Sequence, residues 1–368
     1  MPSAYVGALL GPLGGGVLAP MLPQVGESLQ VSAGAVATSI TTYFVPFAVI
    51  QLISGTLGER WGRRRTVRAA YLVYALGSLV CAFAPSFGTF LLARAVMGAA
   101  NAFTGPLLVA GLADLVPRER LSRSVGVISS WMAAGQSVAP FVGGVAAAGS
   151  WRFAFVIVAA VAVLLSLSPP PGEPRPGTAA PSWRSLLRRD VGLLAVGGFV
   201  SYLGAAALPF MVALYLNDSL HVGPGLTGVA LLGFGVAGLL LGPAWGSLNQ
   251  RFGARMCGVV AAVATAAFVA LVGVTGTAWT LALCWTAAGA ASSMLTIALQ
   301  NLTVRAVRGN RGGVLSVVSA FRFAGAALAP AAWLPLYHGG GVTAFAVAGA
   351  SVLLALPVLA VVGGHDRG

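Results

Sequence analysis

Twelve runs of about 20 mostly apolar residues, parted by short stretches of glycine, proline or arginine, dominate this sequence. A helix that crosses a bilayer satisfies its own backbone hydrogen bonds, so a run of this length needs neither a partner strand nor water. The runs lie near Ala4–Leu22, Ala35–Leu57, Thr66–Ala84, Phe87–Leu112, Ser124–Ala148, Arg152–Leu167, Val191–Leu216, Leu226–Leu248, Met256–Thr275, Trp279–Val304, Val314–Leu336 and Val342–Val362. In a chain of 368 residues they leave only short loops, and no room for a large soluble domain. The residues are 58% apolar and 8% charged, which excludes a water-soluble globular enzyme. The expectation is an all-α integral membrane protein with twelve transmembrane helices, embedded in a lipid bilayer.

The net charge is +13, and every basic residue is arginine. In a soluble protein such an excess would suggest nucleic acid. Here the arginines gather between apolar runs, and no nucleic-acid partner is expected. Arg60, Arg63, Arg64, Arg65 and Arg68 follow the second run; Arg118, Arg120 and Arg123 the fourth; Arg175, Arg184, Arg188 and Arg189 the sixth. Arg251 and Arg255 follow the eighth, Arg305, Arg308 and Arg311 the tenth, and Arg367 lies in the tail. Only Arg94, Arg152 and Arg322 fall outside this alternation. Basic loops stay on the cytoplasmic side, so both termini are expected there, in a multi-pass protein of a bacterial inner membrane. The N-terminus has neither a basic segment nor an evident cleavage site, so it reads as a first span and not a signal peptide. Whether the true start lies a few residues upstream is left open.

The longest connection contains PPPGEPRPGTAAPSWRSLLRRD, a proline-rich linker whose Trp183 to Arg189 stretch suits the membrane surface. It divides the chain into an N-terminal half of six helices (residues 1–168), a linker (169–189) and a C-terminal half of six helices (190–368). The halves repeat each other. GTLGERWG (Gly55 to Gly62) matches GSLNQRFG (Gly246 to Gly253), and SSWMAAGQSVAP (Ser129 to Pro140) matches SAFRFAGAALAP (Ser319 to Pro330), about 190 residues apart in both cases. Two parallel six-helix repeats around a midplane site are a transporter architecture.

GTLGERWGRRR (Gly55 to Arg65) resembles the loop motif GxLaDrxGrr of the major facilitator superfamily, and the resemblance extends over essentially the whole chain. It implies the fold of that family, two pseudo-symmetric six-helix bundles. It also implies a conformational latch made by Gly55, Glu59, Arg60, Gly62, Arg63 and Arg64, with Glu59 in the place of the usual aspartate. A plain arginine cluster that only sets topology is the alternative. LLARAVMGAANAFTGP resembles the family's RxxxGxxxA pattern through Arg94 and Gly98, and there the arginine is tied to proton coupling. GQSVAPFVGG is similar to the antiporter motif GxxxGPxxGG, with Ala139 where glycine is usual, and implies a hinge at Gly135, Pro140, Gly143 and Gly144. Ordinary small-residue packing is the alternative.

Charge inside a membrane is costly and usually functional. Arg94 and Arg322 are such charges, and Arg322 stands at the repeat position of Met132. All eight acids, Glu27, Glu59, Asp114, Glu119, Glu173, Asp190, Asp218 and Asp366, fall near span ends or in loops. A cavity that is neutral to positive is therefore expected, one that favours neutral, zwitterionic or anionic amphiphiles over cations. Tyr43, Gln51, Asn101, Trp131, Gln136, Tyr202, Trp285 and Gln300 are candidates to line it, with packing the alternative for each.

No phosphate-binding loop, nucleophile elbow or HExxH occurs in the sequence, so an ion or solute gradient is the expected energy source, and no cofactor or metal is expected. Cys81, Cys257 and Cys284 stand alone in apolar runs. The resulting expectation is a monomeric secondary transporter that exports small amphipathic molecules (drugs or metabolites) in exchange for protons. A uniporter or exchanger of organic anions or metabolites is the second reading, and a membrane sensor or scaffold without flux the third.

Overall fold

Most of the chain lacks the polar groups that would draw its backbone out of helical pairing. The computed structural model describes residues 2–18, 21–169, 183–222, 224–306 and 310–362. Among the described residues there are sixteen α-helices and no strand. They are α1 (Pro2–Gly16), α2 (Leu22–Leu29), α3 (Ala33–Trp61), α4 (Arg63–Ala82), α5 (Phe87–Asn101), α6 (Thr104–Leu115), α7 (Arg118–Gly149) and α8 (Arg152–Leu167). After the linker come α9 (Arg189–Ser201), α10 (Pro209–Asp218), α11 (Pro224–Phe252), α12 (Ala254–Val272), α13 (Ala278–Ala306), α14 (Arg311–Gly339), α15 (Gly341–Val352) and α16 (Ala355–Val362).

Each expected span falls on one of these helices or on a pair. By length and composition alone, seven helical stretches are long and apolar enough to cross a membrane: Thr38–Trp61, Phe87–Leu115, Val229–Phe252, Ala254–Val272, Ala278–Ala306, Arg311–Gly339 and Gly341–Val362. The sequence reading placed no helix after the first run, whereas α2 forms there. Pro23 sits in its first turn, and Gln30 closes it in the left-handed region with φ 57°. Residues 170–182, and Arg308 and Arg367 among the loop arginines, lie outside the described residues. The Trp183–Leu187 stretch forms one 3₁₀ turn ahead of α9.

Three expected spans are broken, each at a proline. Pro106 has no N–H to return to the Ala102 carbonyl, which accepts a hydrogen bond from Ser54 Oγ instead (2.6 Å), and α5 and α6 part there. Pro357 leaves the Leu353 carbonyl to the Leu356 N–H (2.9 Å), which separates α15 from α16. In the seventh span a π-helical turn, Tyr202–Ala206, lies between α9 and α10. The Ala207 N–H reaches back to the Tyr202 carbonyl (3.1 Å), so the Leu203 carbonyl is freed and accepts from Trp333 Nε1 at 2.8 Å. Pro209 then opens α10.

The chain forms two compact units. The first comprises Met1–Val116, Trp131–Ser185 and Gly309–Val317, and the second Pro117–Ser130, Leu186–Arg308 and Val318–Gly368. The beginning of α7 thus belongs to the second unit and the beginning of α14 to the first. In the first unit, Phe90, Trp151 and Phe155 pack edge to face with centroids 5.6–5.9 Å apart. In the second, Trp285 and Phe345 are fully buried in one apolar cluster. Small residues let the helices approach closely, the way packing proceeds where lipid is as apolar as the helix surface.

Candidate functional site

The motif glycines come first, because they set how close two helices can lie. In the first unit a Cβ on Gly55 would collide with the Gly312 carbonyl, so α3 and the start of α14 meet backbone to backbone. Gly62 ends α3 at φ 93°, a conformation that favours glycine, and α4 starts at once with Arg63. That placement brings polar groups from distant parts of the sequence together. Glu59, 6% exposed, accepts from Arg63 Nε and Nη2 (both 2.8 Å) and from the Gly312 N–H in the first turn of α14 (3.0 Å). Its carboxylate therefore binds a guanidinium in bidentate fashion and also faces the positive end of a helix dipole.

Arg63 continues the chain of charges through Nη1 to Asp114 Oδ2 (2.5 Å), and Asp114 also pairs with Arg311 Nη1. Burial disfavours the charge on Arg63, but Glu59 and Asp114 more than offset it, and its pKa is raised above the ordinary arginine value. Around this network Asn310 caps α14 by accepting from the Gly313 N–H (3.1 Å) and gives a hydrogen bond to Thr56 Oγ1 (3.0 Å). Ser316 Oγ lies 3.0 Å from Ser54 Oγ and accepts from the Gly55 N–H at 3.2 Å. Of the expected latch residues, Gly55, Glu59, Gly62 and Arg63 lie in or beside this network, whereas Arg60 and Arg64 are exposed. Sequence reasoning missed Asp114, Asn310, Arg311, Gly312 and Ser316. The Asn-Arg-Gly-Gly run that begins at Asn310, a cap residue ahead of an apolar run, was the available signal.

A second cluster in the first unit gathers Arg94, Tyr43 and Asn101. Gly11 and Gly14 of α1 leave space that a Cβ would fill: Gly11 faces the Asn101 amide, and Gly14 the Tyr74 hydroxyl. Arg94 is fully buried, donates from Nη1 to the Gly14 carbonyl (3.0 Å) and lies over the Tyr43 ring at 4.5 Å. Among the described residues its Nε and Nη2 have no hydrogen-bond partner. The Tyr43 and Tyr74 hydroxyls are 3.3 Å apart, and Asn101 Oδ1 accepts from Thr104 Oγ1 (2.9 Å). Tyr74, which the sequence reading did not single out, belongs to this cluster. Gln51 is buried, its Oε1 without a partner among the described residues, while Gln136 is exposed and Trp131 is on an exposed edge of α7.

In the second unit Arg322 lies over the rings of Tyr202 (4.8 Å) and Phe323 (5.6 Å). Trp285 is fully buried against Phe234 (4.6 Å), its Nε1 without a hydrogen-bond partner among the described residues, and Gln300 accepts from Ser129 Oγ at 3.1 Å. Among the expected hinge residues, Gly135 meets the backbone of Leu9 and Gly143 is buried. The surroundings of Pro140 and Gly144 lie outside the described residues. No group of three or more His, Cys, Asp or Glu gathers among the described residues.

Comparison with known proteins follows the same repeat. The sequence profile of the Major Facilitator Superfamily matches residues 4–193 and again 194–366. The uncharacterized MFS-type transporter YceJ of Bacillus subtilis is 26% identical over 249 residues, 64% of this chain and 63% of YceJ. The bacillibactin exporter of the same organism is 29% identical over 150 residues, 39% of this chain and 37% of its own length. The match thus spans less than two thirds of either relative. Among solved structures, the human organic anion transporter MFSD10 (TETRAN) superposes with a TM-score of 0.79 at 18% identity, covering 97% of this chain and 98% of that one. The Escherichia coli fucose:proton symporter FucP does so with 0.78 at 14%, covering 98% of both.

Proposed function

Because the chain belongs to the Major Facilitator Superfamily, and is thereby a multi-pass membrane transporter and not an enzyme, we propose that it exports small amphipathic molecules by alternating access. The observation that carries this reading is the charged network around Glu59. It joins residues 54–63 and 114 to residues 310–316, the start of α14, across about 200 to 260 positions of sequence. A network of short charge-assisted bonds is either made or broken, so it is suited to hold one state of a cycle and to release it in the other.

On this reading the halves 1–168 and 190–368, joined by the linker 169–189, move about a substrate site. Gly55, Glu59, Arg60, Gly62, Arg63 and Arg64 serve as the latch, and Gly135, Pro140, Gly143 and Gly144 as a hinge. The arginine-rich ends are cytoplasmic, as are both termini, and the membrane is a bacterial inner membrane. Export is favoured by the antiporter-like segment and by the likeness to the bacillibactin exporter. A proton gradient drives it, with Arg94 in the coupling role. The protein works as a monomer, and multidrug efflux is the physiological setting. Tyr43, Gln51, Asn101, Trp131, Gln136, Tyr202, Trp285 and Arg322 are its substrate-facing candidates.

The test is counterflow in proteoliposomes, with a substrate chosen by thermal shift from matched anionic, neutral and cationic amphiphiles. Glu59→Ala should lower turnover about tenfold or more while ligand affinity stays within about twofold. Unchanged turnover would remove the latch. The absence of any carboxylate deep in a span favours a second reading, an organic-anion uniporter or exchanger. Flux indifferent to an imposed pH gradient would select it.

A further inference from the structure

Arg322 brings a positive charge into the interior of the second unit with nothing there to neutralise it. The residue is 5% exposed. Among the described residues its guanidinium makes no hydrogen bond and no ion pair, and its buried Nε has no partner. The other interior arginines differ. Arg63 is matched by two carboxylates, and Arg94 gives one hydrogen bond to the Gly14 carbonyl. Arg322 has only two aromatic faces, Tyr202 and Phe323, themselves 5.8 Å apart at a steep angle. Aromatic faces attract a cation but accept none of its N–H bonds, and they return less than burial of the charge costs.

The backbone does not supply the missing acceptor. At the π-turn, where carbonyls come loose, the Tyr202 carbonyl is taken by the Ala207 N–H and the Leu203 carbonyl by Trp333 Nε1. No acid lies in the expected spans 191–216 or 314–336 that carry the two partners. Nor does the fold require an arginine here, because the repeat has Met132 at the matching place. The packing nevertheless fixes where the Arg322 backbone lies. Gly325 lets α14 approach the Phe199 carbonyl so closely that a Cβ would collide, and Gly198 leaves room beside the Arg322 Cβ. A cation held in place, without an anion, beside a break in a helix within an expected span is the arrangement that transporters use for an anionic group.

We infer that Arg322, with the rings of Tyr202 and Phe323, is a recognition site for an organic monoanion: a carboxylate or sulfonate attached to a flat apolar body. The acid group takes the free N–H donors of Arg322, and the body lies against the rings. This deepens the transport reading above and rests on it for its physiological meaning, while the binding itself is testable without flux.

The test uses the full-length protein in lipid nanodiscs and three probes of one shape: 2-naphthoate, 2-naphthamide and 2-naphthylmethylammonium. Thermal unfolding is followed for the wild type, Arg322→Met, Arg322→Lys and Tyr202→Leu, with chloride alone as a further arm. 2-Naphthoate should stabilise the wild type, and the amide and the ammonium compound should not. Its apparent Kd should weaken roughly 30-fold or more in Arg322→Met, less in Arg322→Lys, and about threefold to tenfold in Tyr202→Leu. Without probe, Arg322→Met should unfold at the same temperature as the wild type or higher, because an unmatched charge has been removed. The inference is overturned if 2-naphthoate stabilises Arg322→Met as well as the wild type, if it stabilises neither, or if the ammonium probe binds better. It is overturned equally if chloride alone reproduces the shift, or if Arg322→Met and Arg322→Lys both unfold well below the wild type, which would make the residue structural. Naphthoate binding that depends on Arg322, with no counterflow of any ligand, would retain the site and remove the transport reading.

Discussion

Gly55 and Gly246 stand at matching places in the two halves, and each presses its helix against a carbonyl of another helix: Gly312 in the first unit, Ser122 in the second. The correspondence extends further. Gly98 lies on the Tyr43 carbonyl as Gly289 lies on that of Phe234, and Gly135 on that of Leu9 as Gly325 on that of Phe199. Gly62 and Gly253 share a positive φ, 93° and 86°. The charges are not repeated. Where the first unit has Glu59, Arg63 and Gly312 in one network, the second has an exposed Gln250, with Arg251 over the ring of Phe252 at 5.2 Å. Where the first has Arg94 over Tyr43, the second has Trp285 against Phe234, and Arg322 is answered by Met132. Steric fit is thus common property, and electrostatics is assigned to one copy at a time. The charged contact is thus confined to the first copy of the frame, and the matching contact in the second is neutral.

The comparison breaks most readily at the shared contact. Gly55→Val and Gly246→Val each place a branched side chain against a backbone carbonyl with no room to retreat, so both should lower thermal stability by several degrees or more and abolish flux. If Gly246→Val were harmless, the second contact would be incidental and the two units would not share one packing rule. The charge difference is sharpened next. Glu59→Gln should cut turnover about tenfold, whereas Gln250→Glu should leave it within about twofold, read by counterflow of the same substrate. Equal effects would mean that both copies act as latches. The smallest effect is expected in the aromatic pair. Tyr43→Phe loses a hydroxyl contact with Tyr74 and should cost about 1 kcal/mol in denaturant unfolding, while Phe234, with no hydroxyl, already shows the core tolerating that loss.

How far the sequence disclosed this arrangement depends on the kind of signal. Apolar length, a property of continuous stretches, indicated the helices. The helix breaks at Asn101–Thr104 and Tyr202–Pro209 were not legible, because membrane helices also tolerate proline without a break, as α3 does at Pro46. The charged network was half legible. Gly55, Glu59 and Arg63 lie in one motif, but Asp114, Asn310 and Arg311 join it only through folding. Single aromatic and amide residues carried least: Trp285 and Gln51 are buried, and Gln136 is exposed, although sequence alone treated the three alike.

The division of α7 and α14 between units has a consequence for biosynthesis. The first unit includes residues 309–317, so its last piece is translated only after about two thirds of the second half. The Glu59 carboxylate waits some 250 residues for the Gly312 N–H that it binds. Until then Glu59, Arg63 and Asp114 have only one another and water, without the Gly312 N–H and Arg311. Closing that contact is therefore a late event in the life of each new molecule, and it requires that the chain be made at least as far as Gly312.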